Sequence, residues 1–336
     1  MRPCRRRPVR TLRSDTDILV WANEQNPHGP NLDGVFLINR QRAAVAHVAI
    51  VGPGAVGGVM AAWLASPGHH TVTLCARRPI AELVVTVGER QLISRPAVVT
   101  EPERATPADW VLVTTKAYDA AGAAQWLPAL TRNDTPVAIL QNGVEHRERF
   151  ASYLPAARIV PVMVDCPAER TAANHVRQRG AAKMVVSDDP LGRSFAELFA
   201  DTEIEVTLTA DLKSALWRKL CLNAAGAVSA LLLKPAGIMR DEKIGDIARG
   251  LVRECIAVGR REGAVLDDSL VESVLAAYRN APADSVNSLH ADRAAGRPME
   301  TDARNGVIVR LGRKHGLPTP YNEMTVALLE AAVRNG

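Results

Sequence analysis

The stretch His47-Val48-Ala49-Ile50-Val51-Gly52-Pro53-Gly54-Ala55-Val56-Gly57-Gly58-Val59-Met60-Ala61-Ala62-Trp63-Leu64-Ala65 decides the fold. His47–Val51 is a short, apolar, β-branched run and reads as a strand. Val59–Ala65 reads as a helix, closed by Ser66-Pro67-Gly68. Thr71–Cys75 then reads as a second strand, which completes a βαβ unit. Between strand and helix, Gly52, Gly54 and Gly57 fit G-x-G-x-x-G, with Pro53, Ala55 and Val56 as the intervening residues. The first glycine allows a tight turn, the second lets backbone approach a pyrophosphate, and the third lets helix and strand pack closely. The free N–H groups of the helix N-terminus then face the phosphates. A bare glycine triplet also occurs in ordinary turns; the flanking strand and helix favour the dinucleotide reading.

The end of the second strand bears on which nucleotide. An acid there binds ribose hydroxyls, whereas this chain has Cys75-Ala76-Arg77-Arg78 and no acid before Glu82. A guanidinium pairs with a 2′-phosphate that a carboxylate would repel. The expected cofactor is therefore NADP(H), with Arg77 its leading contact; two solvated arginines are the bland alternative.

Outward from this unit, further strands are expected at Trp110–Thr115, Pro136–Leu140 and Arg158–Val162, with a helix-like stretch at Ala117–Leu130. The alternation predicts an α/β Rossmann-type doubly wound parallel sheet. From Ala210 onward helical spacing takes over, with helices expected at Leu212–Leu233, Ile244–Glu262, Leu270–Ala281 and Thr301–His315. The expected organisation is an N-terminal extension (1–44), a nucleotide-binding domain (45–209) and an all-helical domain (210–336).

The chain has 336 residues and a formal charge of +5, of which residues 1–42 carry +4 through eight Arg, no Lys and four acids. The remaining body is nearly neutral, which argues against a nucleic-acid-binding face. The extension reads as a tail, as residues added by a start codon placed too early, or, less readily, as a segment docking to an acidic partner. Five cysteines without a CxxC pair suggest neither a disulfide framework nor a metal site. No apolar run reaches membrane-spanning length, and no apolar run of signal length follows Arg5-Arg6-Arg7. The expectation is a cytoplasmic protein that binds neither nucleic acid nor membrane.

Polar residues recur at spacings that place them together. Lys219 and Asn223 are four apart, as are Ser288 and Asp292, so each pair shares a helix face. Glu300 stands at the start of a helix, and Lys116 and Asn142 lie just past strand ends, where doubly wound sheets bind ligands. Hydride reduction of a ketone needs a donor for the developing alkoxide and groups that hold the substrate. Lysine fits the donor role, and a carboxylate such as Glu300 can orient the product hydroxyl or that lysine. Taken singly, each is more often a solvated residue.

Read together, the motifs Gly52–Gly57, Arg77, Thr115-Lys116-Ala117-Tyr118, Gln141-Asn142-Gly143, Leu216-Trp217-Arg218-Lys219-Leu220, Ser288 with Asp292, and Glu300-x-Asp302-x-x-Asn305-Gly306 resemble the ketopantoate reductase family from about Val48 to Leu329. The resemblance implies NADPH-dependent reduction of a 2-oxo acid, ketopantoate in the type case, to its 2-hydroxy acid in pantothenate biosynthesis. It implies Lys219 as general acid and Glu300 as the carboxylate on the substrate hydroxyl. Lys116 and Asn142 would lie near nicotinamide and substrate. Asn223 and Ser288, with Asp292 beside it, would bind substrate. It also implies a helical domain related to that of 6-phosphogluconate dehydrogenases, and is compatible with a homodimer. In one departure, Ala227 stands where many members carry a second Asn, so Gly226-Ala227 is expected to leave space for a bulkier acid. A same-fold reductase of another 2-oxo acid or ketone, and a non-catalytic NADPH-binding sensor, remain as alternatives.

Overall fold

The computed structural model describes residues 45–66 and 69–334. The expectations for the N-terminal extension and for the Pro67-Gly68 helix stop lie outside these residues. The sheet that positions the nucleotide loop contains β1 (His47–Val51), β2 (Thr71–Cys75), β5 (Ala97–Val99), β6 (Trp110–Val113), β7 (Val137–Ile139) and β8 (Ile159–Pro161). Between β2 and β5 come β3 (Leu83–Val87) and β4 (Arg90–Ser94). The strand order is β5-β2-β1-β6-β7-β8, and every neighbouring pair is parallel. The central strand β1 sets Ile50 opposite Leu74 on one side and Leu112 on the other. All three are buried, as the continuous apolar runs of these strands require.

Two smaller sheets were not anticipated. β3 and β4 join β10 (Ala168–Ala172) and β11 (His175–Gln178) in the order β10-β11-β3-β4. β9 (Met163–Asp165), β12 (Lys183–Ser187) and β13 (Glu205–Thr209) form the order β13-β12-β9. The pairing of β3 with β11 is parallel and joins residues far apart in sequence. The segment 162–209 therefore adds sheet of its own instead of continuing the central one.

The helices of this half are α1 (Ala55–Leu64), α2 (Ala120–Ala124), α3 (Leu127–Leu130), α4 (His146–Phe150) and α5 (Pro190–Glu197). The single helix expected over Ala117–Leu130 is a 3-10 turn followed by two short helices, with Pro128 in the first turn of the second. Proline donates no N–H, so it starts a helix more readily than it continues one.

After β13 the chain is helical: α6 (Leu212–Ala225), α7 (Ala227–Leu232), α8 (Glu242–Arg261), α9 (Leu270–Asn280), α10 (Ser288–Ala294), α11 (Val307–Lys314) and α12 (Pro320–Arg334). Asp211 caps α6 by accepting from the Ser214 N–H, and Asp241 caps α8 by accepting from Lys243 and Ile244. The expected Leu212–Leu233 helix divides at Gly226, and the expected Thr301–His315 helix opens with a π-helical turn, Asp302–Gly306. That turn buries Ala303, Arg304 and Asn305 in succession. From Val45 onward the described residues cluster as one compact unit.

Candidate active site

The loop after β1 is shaped by its glycines. Gly52 has φ +85, and a β-carbon there would lie 2.5 Å from Thr115 Cγ2. A β-carbon on Gly57 would lie 2.3 Å from Thr114 Oγ1 and 2.7 Å from the Gly52 carbonyl oxygen. Gly54 is different: the nearest atom to a β-carbon there is 3.9 Å away. Its missing side chain leaves bare backbone facing open space at the start of α1. No side chain caps that helix and no acid stands in its first turn. Uncapped N–H groups, a positive helix end and open space fit a pyrophosphate.

Arg77 follows β2 with an 85 % exposed side chain and is ion-paired with Asp119. Sequence reading missed this acid because Asp119 lies 42 positions away, in the turn after β6. Among the described residues, no group of three or more His, Cys, Asp or Glu could hold a metal, and no helix is long and apolar enough to cross a membrane.

Beyond the C-terminal ends of β6 and β7 the two halves meet through charge. Glu300 is 4 % exposed. Its carboxylate accepts from the Ala117 backbone N–H at 2.9 Å, from Asn142 Nδ2 at 2.9 Å and from Lys116 Nζ at 3.2 Å. Lys116 also donates to Asp292 Oδ2 at 2.8 Å, and Asp292 accepts from Arg297 Nε at 2.9 Å through its other oxygen. Burial would lower the Lys116 pKa, but the charges and hydrogen bonds of Glu300 and Asp292 outweigh it and raise the pKa above the usual lysine range. Ser288 is exposed in the first turn of α10, one turn before buried Asp292.

Backbone geometry fixes Asn142. Gly143 has φ +108, and a β-carbon there would lie 2.9 Å from the Ala303 carbonyl oxygen. The loop is held from beneath by Gln141, whose Nε2 donates to Thr115 Oγ1 at 3.0 Å. His146 Nε2 donates in turn to the Gln141 carbonyl at 3.0 Å. Burial drives the His146 pKa down to about 4. The ring is therefore neutral, with Nε2 as its donor.

Lys219 lies on α6 and pairs with exposed Asp165 at 2.6 Å. It lines a narrow crevice together with Asn142, Gly143, Met163 and Asn223. Glu300, expected to orient the product hydroxyl or the lysine donor, is engaged by Lys116, while Lys219 shares its crevice with Asn142, which donates to Glu300. Asn223 is buried and accepts from Arg304 Nη2 at 2.9 Å, a partner that sequence reading did not single out.

The expected space at Gly226-Ala227 is absent. A β-carbon on Gly226 would lie 2.3 Å from the Tyr278 hydroxyl, and Ala227 is fully buried in a cluster with Ala230, Leu289 and Leu329. Neighbouring side chains have filled the room that the two small residues leave.

Comparison with known proteins identifies the family. The family described as "Ketopantoate reductase PanE/ApbA" matches residues 48–190, and "Ketopantoate reductase PanE/ApbA C terminal" matches residues 211–333. A 2-dehydropantoate 2-reductase of Caulobacter vibrioides is 54% identical over 285 residues, covering 85% of this chain and 98% of that protein. The structure of a PanE/ApbA family ketopantoate reductase from Ralstonia eutropha superposes with TM-score 0.79 at 32% identity, covering 86% of this chain and 99% of that one. A dimeric ketopantoate reductase from Staphylococcus aureus gives TM-score 0.76 at 25% identity, covering 86% and 99%. A family match spanning both halves, and a close relative aligned over nearly its whole length, fix the assignment: this chain belongs to the ketopantoate reductase family.

Proposed function

We propose that this chain is an oxidoreductase that reduces 2-dehydropantoate to pantoate with NADPH. The observation that carries the reading is the convergence of Lys219, Asn142 and Asn223 on one crevice, with Asn142 bound to Glu300. The division of labour is a nucleotide-binding domain over 45–209 and a catalytic domain over 210–336.

The nucleotide would be held by backbone at Gly52, Pro53, Gly54, Ala55, Val56 and Gly57, with Arg77 on its 2′-phosphate and Lys116 and Asn142 toward its nicotinamide end. When bound, the dihydronicotinamide supplies the hydride. Lys219 is the general acid: its ammonium leaves exposed Asp165 and protonates the oxygen of the substrate ketone as that oxygen gains charge. Glu300 accepts from the new hydroxyl with the oxygen that Lys116 and Asn142 otherwise occupy. Asn223 and Ser288 hold the remainder of the acid, and Asp292 keeps Lys116 in place. The 54% identity to the Caulobacter reductase supports ketopantoate as substrate. Likeness to the dimeric Staphylococcus enzyme supports a homodimer. A cytoplasmic location is part of the same reading.

The test is NADPH oxidation with ketopantoate and a panel of 2-oxo acids, for wild type and Lys219→Ala. Loss of one general acid is expected to lower kcat about 100- to 10,000-fold, with NADPH affinity retained. Turnover of another acid but not ketopantoate would replace the substrate. NADPH binding without any turnover would favour the sensor.

A further inference from the structure

Arg304 is 2 % exposed, and it is the only lysine or arginine among the described residues that is buried. A buried guanidinium ordinarily has a carboxylate against it, because an unpaired charge in the interior costs several kcal/mol. Among the described residues, no carboxylate lies within ion-pair distance of Arg304. Its single hydrogen bond there is the one from Nη2 to Asn223 Oδ1 at 2.9 Å. Its Nε and Nη1 are buried without an acceptor, and so is Asn223 Nδ2. Nitrogen donors on two touching side chains thus await a partner, and the missing partner can only be an acceptor.

The surrounding charge says which kind. Four cations, Lys116, Lys219, Arg297 and Arg304, stand among three carboxylates, Asp165, Asp292 and Glu300. Each carboxylate is already engaged by Lys116, Lys219 or Arg297, so one positive charge is left over, at Arg304. Asn223 is at once the bonding partner of Arg304 and a wall of the crevice that holds Lys219. Ala227 lies one turn further along the same helical run and is sealed in apolar contacts. It therefore offers the crevice no polar group.

We propose that Arg304, acting with Asn223, is the residue that recognises the carboxylate of the 2-oxo acid, in place of the amide that position 227 lacks. A guanidinium gives a carboxylate two parallel hydrogen bonds and a matching charge. The π-helical turn at Asp302–Gly306 makes this possible by turning Arg304 inward beside Asn305, whose own Nδ2 is used on the Ala224 carbonyl and Asn322. The site then selects keto acids over neutral ketones of the same shape. The inference rests on the reduction proposed above for its substrate, and its test is built to separate the two.

Arg304→Met keeps the length and removes the charge. Relief of an unpaired buried cation leaves the melting temperature of the unliganded variant equal to or above that of wild type. The further rise in melting temperature that ketopantoate adds to that of NADP⁺ in wild type is lost in the variant. The KM for ketopantoate rises by about 10- to 100-fold, the loss expected for a charge-assisted hydrogen bond. The KM for the primary amide of ketopantoate, whose neutral carbonyl is the weaker acceptor, rises several-fold less, so the preference for acid over amide collapses; Arg304→Lys recovers part of it. A variant that fails to fold, melts lower than wild type or keeps its preference for the acid overturns the proposal and makes Arg304 structural. The ligand-induced shift needs no turnover, and where wild type turns over another 2-oxo acid instead of ketopantoate the same comparison is made with that acid, so Arg304 is decided separately from the identity of the substrate.

Discussion

Glu300 shows how much a single side chain can organise. Its two oxygens collect a backbone N–H, an amide and an ammonium from the sheet-bearing half. Its position was legible from the motif it shares with Asp302, Asn305 and Gly306, but its partners were not, since Lys116 lies 184 positions away. Arg77 was legible in the same limited sense: the residue could be picked out, but not its bond to Asp119. That bond leads to a prediction. Under the proposed reading, the 2′-phosphate draws Arg77 away from Asp119, so the acid competes with the ligand. Asp119→Asn is expected to tighten NADPH a few-fold, and Arg77→Ala to weaken it about 10-fold or more, the scale of a charge-assisted hydrogen bond. NADH affinity should not respond to Arg77→Ala. Equal weakening of both nucleotides by Arg77→Ala would place the 2′-phosphate elsewhere.

At the scale of elements, the sequence was readable where structure is local and apolar. The β1–α1–β2 unit is of that kind, since its strands are buried runs and its glycines follow one another closely. The strands β4 and β10 are largely exposed and carry Arg90, Gln91, Glu169 and Arg170, so no apolar alternation marks them. Their pairing is settled by distant segments. Helix α12 is a different case, because Pro320 in its first turn and the apolar residues that follow were signals that could have been used. The short helix α4 carries a prediction through His146. Its folded pKa of about 4 lies below the usual value of 6.5. As pH falls between these values, the unfolded chain takes up a proton that the folded chain refuses, so stability declines across that window and this contribution levels off below it. The loss is on the order of 3 kcal/mol. His146→Gln keeps a donor for the Gln141 carbonyl and cannot titrate. Urea unfolding of both proteins at several pH values should show the wild type losing more stability than the variant across this window. Parallel profiles would mean that His146 is protonated in the folded protein.

Across the whole molecule, the sheet-bearing and helical halves are joined by a second charged group outside the crevice. Arg310 of α11 pairs with Glu145 at 2.6 Å, and Arg149 of α4 pairs with Asp302 at 3.0 Å. Within each half the ring is closed by Arg149 with Glu145 at 3.2 Å and by Arg310 with Asp302. Burial alone would raise the Asp302 pKa, but Arg310 and Arg149 outweigh it and hold the carboxyl below its usual range. Stability from this group is therefore present above the ordinary aspartate pKa and lost as pH falls through the lowered one. Arg310 and Asp302 are exposed, and a pair of that kind contributes about 1 kcal/mol or less and is screened by salt over roughly 10 Å at 0.1 M, whereas Glu145 and Arg149 are only 18 % exposed. The ring thus ties α4 of the sheet-bearing half to α11 and the π-helical turn of the helical half. If it favours the closed form, salt should raise the KM for ketopantoate more steeply in wild type than in the pair variant Glu145→Gln/Arg310→Met. The variant should start from a KM a few-fold higher at low salt, because Arg149 and Asp302 alone would then bridge the halves. Screening of the substrate's own charge is common to both proteins and cancels in the comparison. Equal salt slopes would show that the ring stabilises the fold without biasing the cleft.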